Sequence, residues 1–250
     1  MIGIIDSGIG GITVYHAVKR LLPHMPVVYY ADSANIPYGT KEPSAIVDCL
    51  RRSADVVIEQ GARMVIIACH TAAIALGEED LGLPTLRISE YGALSLLKED
   101  DLERIALLGT RFTIESFSFQ DRLPGRHLFP VSMPLFVPLV EEGFAEHPLA
   151  DAMAITYLDH LRDAELDAAL LACTHFPFVG AAIQRALGSH VILVDPASLC
   201  AEAARQLAYD LSLSPMAGED LFLSSGSPRC AIEQYKQGKL HGAKTPHFAY

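Results

Sequence analysis

Met64-Val65-Ile66-Ile67-Ala68-Cys69-His70-Thr71 reads as a buried strand that stops on a thiol, and Ala168-Ala169-Leu170-Leu171-Ala172-Cys173-Thr174-His175 repeats the device further along the chain. A short continuous apolar run bounded by polar residues marks a strand covered on both faces, as in a parallel sheet. In an open α/β sheet, ligands bind just past the carboxyl ends of the strands. Each stretch therefore sets a cysteine, with a threonine and a histidine beside it, where a site forms. Two thiols supplied from separate halves can stand on both faces of one small substrate. That arrangement suits taking a proton from one face of a carbon and returning it to the other.

Outward from these stretches, apolar runs alternate with amphipathic ones, the pattern of βαβ units. Strands are expected at Ile2–Ile5, Val27–Ala31, Met64–Ala68, Thr85–Ile88, Ile105–Leu108, His127–Val131, Ala168–Ala172, Val191–Val194 and Leu221–Leu223. Helices are expected at Thr13–Leu22, Ser44–Gln60, Leu149–Leu161, Val179–Ala186 and Ala197–Leu211, with Pro43 and Gly61 as start and stop signals for the second. The halves share a plan: the interval from Asp6 to Cys69 equals that from Thr110 to Cys173. This predicts an α/β protein of two open-sheet domains of similar plan facing each other across a cleft. The boundary falls near Tyr91–Leu97.

Composition narrows the classes. Half of the 250 residues are hydrophobic and 20% charged, enough for a well-buried core. The net charge of −11 argues against a nucleic-acid partner. No apolar run approaches the ~20 residues that span a bilayer, and no leader precedes the first strand, so no membrane association is expected. An odd count of five cysteines, without paired short spacings, reads as free thiols in a reduced, cytoplasmic protein.

Asp6-Ser7-Gly8-Ile9-Gly10-Gly11 follows the first strand and opens a helix. It is not a dinucleotide fingerprint, because Thr13 stands where the third glycine belongs and Asp6 where a pyrophosphate needs neutral or positive surroundings. It reads instead as a glycine turn presenting backbone N–H groups to a carboxylate, with Asp6 as acid–base partner and Ser7 as donor. At a helix N-terminus, the thiols of Cys69 and Cys173 are expected to ionise more readily than the usual ~8.5. Cys49, Cys200 and Cys230 lack such a setting and read as structural. Cys69, His70, Cys173 and His175 make a Cys₂His₂ set, but adjacent ligands and the absent C-x₂₋₄-C and H-x₃₋₅-H spacings speak against zinc, so no metal is expected. His175 suits proton exchange near neutrality and would serve Cys173 as Asp6 serves Cys69. The polar loop Ala31–Thr40 is a wall of the cleft, whereas Glu141-Glu142 alone would read as solvated surface.

Together, Asp6-Ser7-Gly8-x-Gly10-Gly11, Pro37-Tyr38-Gly39-Thr40, Ala68-Cys69-x-Thr71-Ala72, Gly109-Thr110-x-x-Thr113, Pro138-Leu139-Val140-Glu141-Glu142-Gly143 and Cys173-Thr174-His175-x-Pro177 closely resemble the glutamate racemases of the aspartate/glutamate racemase family. The resemblance implies two domains of flavodoxin-like plan, with residues 1–92 plus 209–250 forming the first and 93–208 the second. It implies interconversion of L- and D-glutamate for peptidoglycan, with no cofactor and no nucleic acid, and is compatible with a homodimer. By likeness, Cys69 takes the proton from D-glutamate and Cys173 from L-glutamate, assisted by Asp6, Asp32, Glu141 and His175. Ser7, Pro37, Tyr38, Gly39, His70, Thr71, Thr110, Thr113 and Thr174 fall at positions that hold the substrate. The chain departs from the family at His70, where asparagine is usual, and at Asn35, where arginine is usual. Those departures leave two further readings: a racemase of aspartate or another acidic amino acid, and a weakly active relative that serves as a binding protein.

Overall fold

A computed structural model describes residues 1–99, 101–214 and 218–226 and the backbone of 248–249. The first half contributes β1 (Ile2–Asp6), α1 (Ile12–Leu21), β2 (Val27–Ala31), α2 (Pro43–Glu59), β3 (Met64–Ile67), α3 (His70–Leu76), β4 (Thr85–Arg87) and α4 (Ile88–Leu97). The second contributes β5 (Arg104–Gly109), α5 (Arg111–Glu115), α6 (Ser118–Arg122), β6 (His127–Ser132), α7 (Phe136–Glu141), α8 (Pro148–Leu158), β7 (Ala168–Ala172), α9 (Gly180–Leu187) and β8 (Ile192–Val194). The chain then returns through α10 (Ala197–Asp210), β9 (Leu221–Ser224) and β10 (Phe248–Ala249).

All recorded strand pairings are parallel, in two open sheets ordered β10-β9-β2-β1-β3-β4 and β6-β5-β7-β8. The run β2-β1-β3-β4 and the run β6-β5-β7-β8 have the same order, the doubly wound plan in which strand order reverses beside the first strand. The sequence repeat is thus a structural one. Alternation does the packing: Ala106, Leu108, Ala169 and Leu171 join one cluster, while Ile105, Leu107, Ala168, Leu170 and Ala172 join another on the opposite face. Pro43 opens α2 and Gly61 leaves it at φ +89°, as their residue types require.

Several expectations shift. The strand expected at Thr85–Ile88 ends at Arg87, and α4 begins at once. That helix escapes a periodicity reading because it is covered on more than one side: Ile88 joins the first core, whereas Ala93 and Leu96 pack on the second sheet. α10, included in the expected second domain at 93–208, sends Ala197, Cys200, Ala201, Ala204 and Ala208 into the first core instead. Small residues on one face let it lie close to α1. The region expected to complete the first domain, 209–250, lies largely outside the described residues, as does Cys230.

The return of the chain is fixed by Asp220. Its carboxylate accepts from Tyr15 Oη at 2.7 Å, from Lys19 Nζ at 3.1 Å and from the backbone N–H of Val27 at 2.9 Å. Leaving buried donors unmatched costs about 1–3 kcal/mol. Asp220→Ala is therefore expected to lower unfolding stability by about that amount in urea titration, with little change in the dependence on denaturant.

Candidate active site

Residues that follow β1, β3, β5 and β7 converge on one narrow cavity of about 10 Å³. Ser7 comes from β1, Cys69, His70 and Thr71 from β3, Thr110 from β5, and Cys173, Thr174 and His175 from β7. Pro37, Tyr38 and Gly39 close one side from the loop after β2, and Val137 of α7 closes another. These are the two switch points of the two sheets, brought face to face. Among the described residues, no group of three or more His, Cys, Asp or Glu side chains is placed to hold a metal ion.

Four expected residues stand behind this lining. Thr113 is fully buried and bonds to Thr110 at 3.1 Å and to Thr71 at 3.3 Å, while Thr71 and Thr110 are 2.8 Å apart. Asp6 accepts from the Gly8 N–H at 2.9 Å and, across the units, from the Thr174 hydroxyl at 3.0 Å. Glu141 reaches the cavity only through His175. Asp32, expected among the acid–base groups, sits outside the lining: it accepts from Tyr38 Oη at 2.6 Å, Asn35 Nδ2 at 3.0 Å and Ser225 Oγ at 2.6 Å. With two donors on Oδ1 and one on Oδ2, it braces the loop that carries Tyr38.

The glycine turn is built by exclusion. A Cβ at Gly10 would collide with Thr174 Oγ1 and would lie 2.7 Å from His175 Nδ1, and one at Gly39 would lie 2.7 Å from Thr110 Cβ. Ile9, held between two glycines, buries its side chain in the second unit's core. Sequence reading passed over Ile9, Val137 and the pair Ser224–Ser225. An apolar residue isolated in a glycine turn is the one signal that would have found any of them.

The two thiols occupy different electrostatic settings. Cys69 is pushed up to about 12, first by burial and then by the negative charge of Asp6, with the Ala72 N–H and Ser7 hydroxyl opposing only in part. The expected lowering by the start of α3 is therefore overturned for Cys69, because desolvation outweighs one turn of backbone dipole. His175 loses by burial, but its bonds to Cys173 (Nδ1–Sγ 3.8 Å) and Glu141 (Nε2–Oε1 2.6 Å) more than restore it and hold it well above the usual histidine range. Burial raises Asp6, with His175, the Gly8 N–H and Thr174 pulling the other way. Cys49 and Cys200 are buried in helices and do not line the cavity; Cys49 lies beside Tyr38 and Asp32, and its Sγ accepts from Arg52 at 3.1 Å.

Residues 2–204 match the family model described as Asp/Glu/Hydantoin racemase. The chain belongs to that family. Among curated proteins it is similar to glutamate racemase of Thermus thermophilus (37% identity over 232 residues, covering 91% of this chain and 88% of the relative). It is also similar to glutamate racemase of Chlorobaculum tepidum (34% over 214 residues, 82% and 79%). Among solved structures, glutamate racemase from Thermus thermophilus in complex with β-chloro-D-alanine superposes with a TM-score of 0.85 at 33% identity, covering 99% of this chain and 96% of that one. Glutamate racemase from Francisella tularensis in complex with D-glutamate gives a TM-score of 0.86 at 27% identity, with 99% and 96% covered.

His70 is 2% exposed and packs on Phe119 with ring centroids 6.0 Å apart, and its buried Nδ1 makes no protein hydrogen bond. Burial pulls it down to about 3, so the ring is neutral at physiological pH. The unfolded chain takes up a proton near 6.5 that the folded chain refuses until about pH 3, so stability falls as pH drops through that window. At ~1.4 kcal/mol per unit the loss reaches a few kcal/mol. Thermal melts at pH 7 and pH 4.5 are expected to show a smaller acid-induced drop for His70→Asn than for the wild type.

Proposed function

We propose that the chain interconverts L- and D-glutamate by proton transfer between Cys69 and Cys173. The observation that carries the reading is that one thiol from each unit lines the same narrow cavity, at the switch point of its own sheet. On this reading one thiolate takes the α-hydrogen as a proton, forming S–H as the Cα–H bond breaks. The opposite thiol then gives its proton to the other face of the same carbon and is left as thiolate. Running the sequence backwards exchanges the two roles.

The α-proton of an amino acid is a very weak acid, so the developing carbanion needs fixed donors around the carboxylate. Ser7, Thr71, Thr110 and Thr174 bring hydroxyls to the cavity, and Thr113 orients two of them from behind. The high setting of Cys69 fits this scheme: a substrate ammonium beside it supplies the positive charge that Asp6 does not. Asp6 and His175 act as the adjoining acid–base groups, with Asp32 and Glu141 holding Tyr38 and His175. The D-glutamate formed would supply peptidoglycan, as the resemblance implies.

A second reading is favoured by one observation. His70 brings a neutral ring into a cavity position where the family usually has asparagine, which favours a changed side-chain preference, such as aspartate. A cytoplasmic setting belongs to the same proposal, supported by the free thiols Cys49, Cys69, Cys173 and Cys200. Among the described residues no helix is long and apolar enough to cross a membrane. A homodimer has the resemblance as its support.

Circular dichroism of each glutamate and aspartate enantiomer with purified protein tests the reading. Glutamate should lose its signal from either side, with solvent deuterium appearing at Cα. Cys69→Ala and Cys173→Ala are each expected to reduce the rate by at least ~10³-fold, as loss of an essential base does, while melting temperatures stay near the wild type. Racemisation retained in either variant defeats the two-thiol scheme.

A further inference from the structure

The loop after β2 walls the cavity with Pro37, Tyr38 and Gly39, and the two units hold it by different means. Packing holds it to the second unit: Ile36 lies against that core, and a Cβ at Gly39 would stand 2.7 Å from Thr110 Cβ. Hydrogen bonds hold it to the first, at the end of β9. Ser225 Oγ donates to Asp32 Oδ1 at 2.6 Å and accepts from the Ala34 N–H at 3.0 Å, while the Ser225 N–H donates to Ala31 O at 3.1 Å. Ser33 Oγ and Ser224 Oγ lie 2.6 Å apart, and a Cβ at Gly226 would stand 3.0 Å from the Ala34 nitrogen. The other oxygen of Asp32 accepts from Tyr38 Oη at 2.6 Å, so Ser225 reaches the cavity wall through two hydrogen bonds. A cavity of about 10 Å³ has room for about one water molecule, so an amino acid enters only when a wall gives way.

We propose that Ser225 is a positioning residue of this site: acting through Asp32, it keeps Tyr38 and its loop on the first unit, so that the cavity opens along the seam where Ile36 and Gly39 meet the second. The two attachments are unequal. Hydrogen bonds to a carboxylate are stronger than neutral ones, and three converge on Asp32. Across the seam Gly39 brings no side chain to Thr110, and Ile36 is only partly buried. Ser225 itself is exposed and does not line the cavity, so its effect on the site passes through Asp32 and the loop. This assignment deepens the racemase reading by naming a residue outside the cavity that governs entry to it, and its first test needs no turnover.

Alkylation of the protein with iodoacetamide, followed residue by residue by peptide mass spectrometry, reports how well the wall covers Cys69 and Cys173. Ser225→Ala is expected to raise labelling of both at least about threefold, the scale of one lost hydrogen bond. Cys200, buried in the first core, should keep its wild-type rate. Ser225→Thr, which retains the hydroxyl, should restore wild-type labelling. In steady-state assays with glutamate, Ser225→Ala should raise KM by about three- to tenfold and leave kcat within about twofold, because a loosened wall weakens substrate and transition state alike. Unchanged Cys69 labelling in Ser225→Ala overturns the inference, as does labelling that rises equally at Cys200. Should Cys69 labelling rise alone while wild type racemises no amino acid, the inference stands and the proposed function fails. Racemisation by wild type, with labelling that Ser225→Ala leaves unaltered, gives the converse.

Discussion

The site depends on side chains of one unit lying closer to the backbone of the other than any side chain there would allow. The turn after β1 meets the loop after β7 and the end of α7, and the loop after β2 meets the start of α5, with glycine at each point of contact. Glycine carries an entropic cost of about 0.5–1 kcal/mol relative to alanine in ordered structure. What it permits is the meeting of two sheets at their switch points, so that residues after four different strands share one cavity. Ile9 reinforces the arrangement from the apolar side, since its side chain belongs to the first unit by sequence and to the second by packing.

That junction also sets the electrostatics. With water displaced, each charge is strong and each uncompensated group costly. Along the junction Asp6, His175 and Glu141 follow one another, with Asp6 pushed up by burial and His175 pulled up by its partners. The overall charge of −11 has no bearing on this local order. Histidine is shifted in opposite directions within one cavity. His70 lacks a carboxylate and burial pulls it down, while His175 holds one at 2.6 Å and is held above the usual histidine range. A residue type fixes the menu of protonation states, and its neighbours choose among them.

Much of this was legible in the sequence because burial on both faces leaves continuous apolar runs, which is why the strands around Cys69 and Cys173 stand out. The repeated interval between strand ends foretold two sheets of equal order. What stayed hidden was whatever depended on contacts between distant segments. α4 shows no single apolar face because two sheets claim it, and α10 follows the second sheet in sequence while packing on the first. Asp32 has the residue type of a catalytic acid, yet Ser225, far along the chain, turns it into a loop anchor. Glu141 read alone as solvated surface, and the structure sets its carboxylate against the Ile9 N–H and His175. Residue type and spacing located the sulfurs; the third dimension decided which carboxylates attend them.

The triangle of Thr71, Thr110 and Thr113 hydroxyls has its own consequence for ligand capture. Each oxygen can both give and receive, so the ring is self-contained and carries no stranded polar group inside the protein. On the proposed reading, an arriving carboxylate would need only to turn hydroxyl protons toward itself, exchanging a closed circuit for a radial one. Recognition would then redirect bonds already made within the protein, a matter of torsions rather than of moving heavy atoms.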